Sequence, residues 1–225
     1  MTYKLLGVNV SPFVRKCRAY MAEKGIAYDY EQVSPFAPPE GYKKISPLGK
    51  IPAFLDGDKA LADSTAICIY LERCNPQPAL YPSDHYQYAR ALWFEEYIDS
   101  GLIPIAGPQV FRPLVLAPMM SQQPVTKEGK AEVLKVVETA IHPMWDYLES
   151  ELASNQFYVG NVLSIADLTV ASGHISLRHA GVEPDAKRWP KLAAFLQRMY
   201  ARPSLAALLA EESERWDKRQ ALAKI

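Results

Sequence analysis

The sequence predicts two unlike units: a small mixed α/β sandwich over residues 1–75 and an all-α domain over residues 85–225, joined by a linker at 76–84. Three observations carry this. Strand and helix signals alternate through the first 75 residues in the order β-α-β then β-β-α, the pattern of a mixed sheet covered by helices. Three prolines fall within Asn75–Asp84, a composition suited to a connector. Beyond it only helix-period patterns occur.

The first strand is Lys4-Leu-Leu-Gly-Val-Asn-Val, a short apolar run within 3–9. A helix over 12–24 follows, with Val14, Cys17 and Met21 at three- and four-residue spacing and Gly25 as a stop. Ser11 has the residue type of an N-cap, and Pro12 stands where a helix has no use for an N–H. A second strand is expected near 28–33. The proline-rich 34–39 connector comes next, then an irregular or short helical piece at 41–45. Ile51–Leu55 and Lys59–Leu61 read as a hairpin about Asp56-Gly-Asp. Asp63-Ser64 caps a helix with Ile67, Tyr70, Leu71 and Cys74 on one face.

In the second unit one helix starts near Asp84 and runs to Gly101. Prolines 104, 108, 113 and 118 predict a kinked or irregular segment over 103–118. A long helix over 126–153 carries Pro143 as a kink. Ser164-Ile-Ala-Asp167 is a capping-box variant opening the next helix, with Asp167 a structural cap. Helices near 189–201 and 204–218 complete the chain.

Composition narrows the function classes. The apolar fraction of 49% and charged fraction of 22% suit a soluble globular protein, and 25 basic residues balance 25 acidic ones. Neither nucleic acid nor a membrane is therefore expected as a partner. The start lacks a signal-peptide pattern, and no apolar stretch approaches the ~20 residues of a membrane helix. Three dispersed cysteines point to a reducing compartment, with the cytoplasm as the default. Cys17, Cys68 and Cys74 read as packed residues. The four histidines show no metal-ligand spacing with them, so no metal is expected.

Three separated features fit one anionic thiol peptide. Ser11 stands at a helix N-terminus, where N–H groups and the helix dipole favour negative charge. Ile51-Pro52 is a candidate cis bond at a strand entrance, leaving Ile51 able to pair with an extended ligand as a sheet edge pairs with a strand. Asp63-Ser64 offers helix N–H groups to a carboxylate and an acid to an amine.

These pieces resemble the glutathione transferase superfamily over essentially the whole chain. The resemblance is carried by Ser11-Pro-Phe-Val-Arg, Ser46-Pro-Leu-Gly-Lys-Ile-Pro52, Ala62-Asp-Ser-Thr-Ala-Ile67 and the Tyr158-Val-Gly-Asn…Ser-Ile-Ala-Asp167 stretch. It implies a thioredoxin-like N-terminal domain and a helical-bundle C-terminal domain. Glutathione would be the co-substrate: Ile51 and Pro52 at its cysteinyl backbone, Asp63 and Ser64 at its γ-glutamyl end, and Lys50 at its glycine carboxylate. It also implies a cytoplasmic detoxifying enzyme and a homodimer, the first domain of one subunit facing the helical domain of the other. Members with cysteine in the Cys-Pro-Phe motif favour disulfide exchange; here Ser11 occupies that place. Members using serine often place it a residue or more earlier, where this chain has Val10 or Asn9. Ser11, Asn9 and a backbone N–H are thus the alternatives for activating the thiol.

The physics permits Ser11. Lowering a cysteine thiol by two units from about 8.5 requires roughly 2.7 kcal/mol. A hydroxyl hydrogen bond to charged sulfur supplies about 1.5–3 kcal/mol and the helix terminus ~0.3–1 kcal/mol. Phe13, Phe36, Tyr97 and Phe111, with Arg112 beside the last, are the candidates for an apolar pocket taking a small apolar electrophile. Competing functions are a glutathione-dependent thiol–disulfide or peroxide reductase and a non-catalytic glutathione-binding regulatory protein.

Overall fold

The structure is a computed structural model that describes residues 2–220, with side chains as far as residue 213. The expected helical span to 225 therefore ends outside the described residues. Four strands, β1 (Tyr3–Gly7), β2 (Tyr28–Gln32), β3 (Ala53–Asp56) and β4 (Lys59–Ala62), form one sheet in the order β2-β1-β3-β4. β1 and β2 are parallel, and β1–β3 and β3–β4 antiparallel. The parallel pair needs a crossover, supplied by helix α1 (Pro12–Glu23). A one-turn helix α2 (Tyr42–Ile45) precedes β3, and α3 (Ser64–Cys74) follows β4. Gly7 is the last residue of β1, and a side chain there would meet Val14 Cγ2 at 2.4 Å. That close approach presses the start of α1 against the sheet.

The helical part opens with α4 (His85–Ser121), one continuous helical run. This corrects the irregular segment expected over 103–118. The run widens into π-helical turns at Tyr97–Leu102 and Gly107–Leu116, where the N–H groups of Ile103 and Ala117 reach carbonyls five residues back, at Ile98 and Arg112. A wider turn gives each proline ring room from the preceding carbonyl and tolerates its missing N–H, so the prolines reshape the helix without ending it. By length and composition α4 is also long and apolar enough to cross a membrane, contrary to the sequence expectation. Its stripe of Phe94, Ile98, Leu102, Ala106 and Val110 is buried in the core.

Helix α5 spans 127–152, with a π turn at Val137–Ile141 just before Pro143. Next come α6 (Ile165–His179), α7 (Pro190–Tyr200) and α8 (Pro203–Gln220). The capping box forms: Asp167 Oδ2 accepts from Ser164 N at 2.8 Å and Oδ1 from Tyr158 N at 2.9 Å. Burial raises the Asp167 carboxyl to about 7 against these hydrogen bonds. α6 is the axle of the molecule, packing on α1, α4 and α7. One core runs through both parts, from Leu5, Tyr20 and Phe54 to Trp145, Leu168 and Phe195. Cys17 and Cys68 are packed within it, their sulfurs 3.9 Å apart, whereas Cys74 is exposed, which corrects its expected packing.

Candidate functional site

Where the sheet's helix-side edge meets α4 and α6, a cleft of about 860 Å³ opens. It gathers the β1–α1 turn, the 46–52 segment, the start of α3, the middle of α4 and part of α6. Ser11 caps α1 with extended backbone (φ −70°, ψ 126°) and its side chain lines the cleft. Its Oγ lies 3.5 Å from Val14 N, at the outer limit of hydrogen bonding, so the hydroxyl is only lightly engaged by its own helix.

Ile51–Pro52 is cis, and β3 begins at Ala53, so Ile51 lies at the cleft outside the ladder. The Lys50 carbonyl is fixed by Tyr42 Oη (2.9 Å) and Ser46 Oγ (2.8 Å), while the Lys50 side chain is exposed at the rim. Asp63 adopts φ 88°, a conformation costly for a non-glycine residue. Its Oδ1 accepts from Thr65 N at 2.9 Å and Ala66 N at 3.1 Å, and the carboxylate faces the cleft beside the buried Ser64. Ser11, Lys50, Ile51, Pro52, Asp63 and Ser64 thus all reach one cavity.

The facing wall is apolar, built from Phe13, Ile103, Ala106, Phe111 and Leu116. Phe36 and Leu48 stand at its mouth, 90% and 81% exposed. Two expected pocket residues are absent from it. Tyr97 packs in tilted ring contacts against Tyr147 (4.7 Å between centroids) and Trp93 (5.9 Å), and it does not line the cleft. Arg112 is exposed, turned from the cleft that Phe111 lines. Neighbouring helix residues point about 100° apart, so adjacency in sequence does not carry a side chain to the same wall.

Residues that sequence reasoning missed complete the site. Glu96, Asp99 and Ser100 on α4, and Gly173 and Ser176 on α6, line the cleft. Asp99 is held by the fully buried Lys16, whose Nζ lies 2.6 Å from Asp99 Oδ2, 3.0 Å from Glu95 Oε1 and 3.1 Å from Thr65 Oγ1. Burial pushes the Asp99 carboxyl up and the Lys16 ammonium draws it back, leaving it at about 6. Burial alone would lower Lys16, yet Glu95 and Asp99 hold it above its ordinary value. The available signal was a lysine between Val14 and Cys17 on the core side of α1, which demands a buried counter-charge.

A second buried cation stands one turn below Ser11. Arg15 donates from Nε and Nη2 to both oxygens of Glu212 on α8 (2.7 and 2.8 Å) and from Nη1 to the Ser172 carbonyl (2.7 Å). Its Nη2 also reaches the Val10 carbonyl at 3.2 Å. Burial raises the Glu212 carboxyl, but Arg15 and His179, 2.6 Å away, bring it below its usual value. Asn9 is buried, donates to Glu211 Oε1 at 3.3 Å and does not line the cleft, unlike Ser11. Among the described residues no three His, Cys, Asp or Glu side chains converge as metal ligands.

The fold and the cleft together define a class: a thioredoxin-like α/β unit whose first helix N-terminus opens on a pocket completed by a following helical domain. Residues 5–79 match the glutathione S-transferase N-terminal domain family and residues 103–203 the glutathione S-transferase C-terminal domain family. The chain belongs to the glutathione transferase superfamily. Glutathione S-transferase Z2 of Arabidopsis thaliana is 28% identical over 217 residues, 93% of this chain and 91% of that protein. A probable maleylacetoacetate isomerase 1 of Drosophila melanogaster is 30% identical over 161 residues, 68% of this chain and 60% of that protein. In fold the chain is similar to a glutathione S-transferase from Rhodospirillum rubrum F11, with a TM-score of 0.81, 22% identity and coverage of 92% and 91%.

Proposed function

We propose that the protein is a glutathione S-transferase in which Ser11 stabilises the glutathione thiolate for attack on a small apolar electrophile. The observation that carries this is the convergence, in one cleft, of a lightly engaged hydroxyl at a helix N-terminus with an apolar wall. In this reading Ile51 pairs its backbone with the cysteinyl unit, and Pro52 in the cis bond shapes the approach. Asp63 and Ser64 take the γ-glutamyl end, and Lys50 at the rim takes the glycine carboxylate. Phe13, Phe36 and Phe111 contact the electrophile. Residues 1–75 form the glutathione domain, 76–84 the linker and 85–225 the electrophile domain. A cytoplasmic homodimer belongs to the same reading, and sedimentation at low concentration tests the dimer.

A disulfide or peroxide reductase is disfavoured because a hydroxyl, not a thiol, occupies the Ser11 position and Cys17 and Cys68 are buried. The Drosophila relative's name brings a second reading, glutathione-dependent isomerisation, which uses the same thiolate. The test is a glutathione titration following heat and ultraviolet thiolate absorbance, for wild type and Ser11→Ala. Binding with a thiolate signal that Ser11→Ala removes is expected. A signal indifferent to Ser11 would move the activation to a backbone N–H or leave a binding protein, and absence of binding would sink the reading.

A further inference from the structure

The turn that presents Ser11 is pinned on every side by groups from elsewhere in the chain. Ser11 N donates to the Val8 carbonyl at 3.1 Å, and Ser172 Oγ of α6 donates to the Pro12 carbonyl at 2.7 Å. The Val10 carbonyl is taken by Arg15, and the Asn9 amide group by Glu211. Arg15 cannot choose its own position: a planar guanidinium joined through two parallel hydrogen bonds to one carboxylate is fixed in direction as well as distance. Glu212 therefore sets where Arg15 points, and His179 in turn holds Glu212 Oε2. Arg15 and Glu212 are both fully buried. A buried ion pair is seldom more stable than apolar side chains of similar volume, so geometric specificity is the better account of this one.

We propose that Glu212, acting through Arg15, is a positioning residue for the Ser11 turn, so that the C-terminal helix orients the Ser11 hydroxyl without entering the cleft. The proposal rests on the reading of Ser11 given above. The chain of contacts is short: the Glu212 carboxylate, the Arg15 guanidinium, the Val10 carbonyl, then Ser11 as the next residue. Neither Arg15 nor Glu212 lines the cleft, so neither meets the ligand directly. A loosened Val10 carbonyl would let the Ser11 peptide rotate, and the hydroxyl would lose its aim at a bound sulfur.

Two variants test this. Glu212→Gln replaces one acceptor oxygen by an N–H₂ that faces the guanidinium, and Glu212→Asp keeps the charge but withdraws it by one methylene. The first readout needs no ligand: amide hydrogen exchange at Asn9, Val10, Ser11 and Phe13. At least a tenfold faster exchange at Ser11 is expected in either variant, with exchange in β3 unchanged. The second readout is the thiol pKa of bound glutathione, followed by absorbance. A rise of about one unit is expected, a tenfold change in the thiol–thiolate equilibrium, with the glutathione Kd within threefold. In a Ser11→Ala background the same substitution should move that pKa no further. A lower melting temperature with unchanged exchange at Ser11 and unchanged thiol pKa would show a merely structural pair and overturn the proposal. So would an equal pKa shift in the Ser11→Ala background. If wild type binds no glutathione, the functional reading falls, and the exchange measurement alone decides whether Glu212 pins the turn.

Discussion

Replacing Lys16 by methionine should expose how much the cleft depends on a cation that never meets solvent. Methionine keeps the stem's bulk and adapts to the site, so packing is nearly conserved. What is lost is the counter-charge to Glu95 and Asp99, 3.0 and 2.6 Å away, and the bond to Thr65. Glu95 is 1% exposed, so its charge cannot turn to water. Removing one partner of a buried pair costs about 3–5 kcal/mol, a large share of the roughly 5–15 kcal/mol that holds a domain folded.

The sign of the pH dependence follows from Asp99. Its carboxyl titrates at about 6 in the folded protein, against about 3.9 unfolded. A group raised in the folded state contributes fully below its unfolded pKa and loses that contribution as pH rises through its folded pKa. For wild type this amounts to about 3 kcal/mol given up between pH 4 and 6. Without Lys16 the Asp99 carboxyl moves higher still, so the variant's deficit should be largest at alkaline pH and shrink toward acid. Urea unfolding followed by circular dichroism at pH 8 and pH 5 measures both. A deficit of at least ~3 kcal/mol at pH 8, smaller by ~1 kcal/mol or more at pH 5, is expected. The triple variant Lys16→Met/Glu95→Gln/Asp99→Asn should recover most of it. A deficit under ~1 kcal/mol, or one equal at the two pH values, would refute the argument.

Two further predictions concern the cap and the pocket wall. Asp167→Ala leaves the buried N–H groups of Tyr158 and Ser164 unpaired while relieving a carboxyl that burial has raised to about 7. A net loss of about 2–4 kcal/mol is expected by calorimetry, and a loss below ~1 kcal/mol would deny the cap its role. Phe111→Ala removes apolar surface from the wall and should raise KM for an apolar electrophile about tenfold while leaving the bound-thiolate signal intact. A lost thiolate signal would mean that Phe111 supports the Ser11 end instead.

The parts of the site that were legible in the sequence are those whose chemistry is local. Ser11-Pro12, Ile51-Pro52 and Asp63-Ser64 announce a cap, a cis bond and a helix start from two residues each, and the structure contains all three. The prolines of 103–118 misled because the rule that proline breaks a helix assumes the four-residue spacing, and α4 changes its winding there. Tyr97 and Arg112 were misplaced because a pocket wall is one face of a helix, and neither residue type nor adjacency to Phe111 says which face a side chain takes. Asp99 and Glu212 were invisible for another reason. Their partners Lys16 and Arg15 lie 83 and 197 residues away, and no spacing rule spans such a distance.

That distance has a consequence for how the molecule is made. Arg15 leaves the ribosome well before its acceptors, the Ser172 carbonyl and the Glu212 carboxylate, which follow 157 and 197 residues later. At roughly 5–20 residues per second, about 10 to 40 seconds of synthesis separate the guanidinium from its carboxylate. Through that interval α1 cannot settle into its final bed, because a buried cation without its anion is too costly to enclose. The Ser11 turn thus takes its final shape only after Glu212 has been made, although its own residues were joined 197 positions earlier in the case of Arg15.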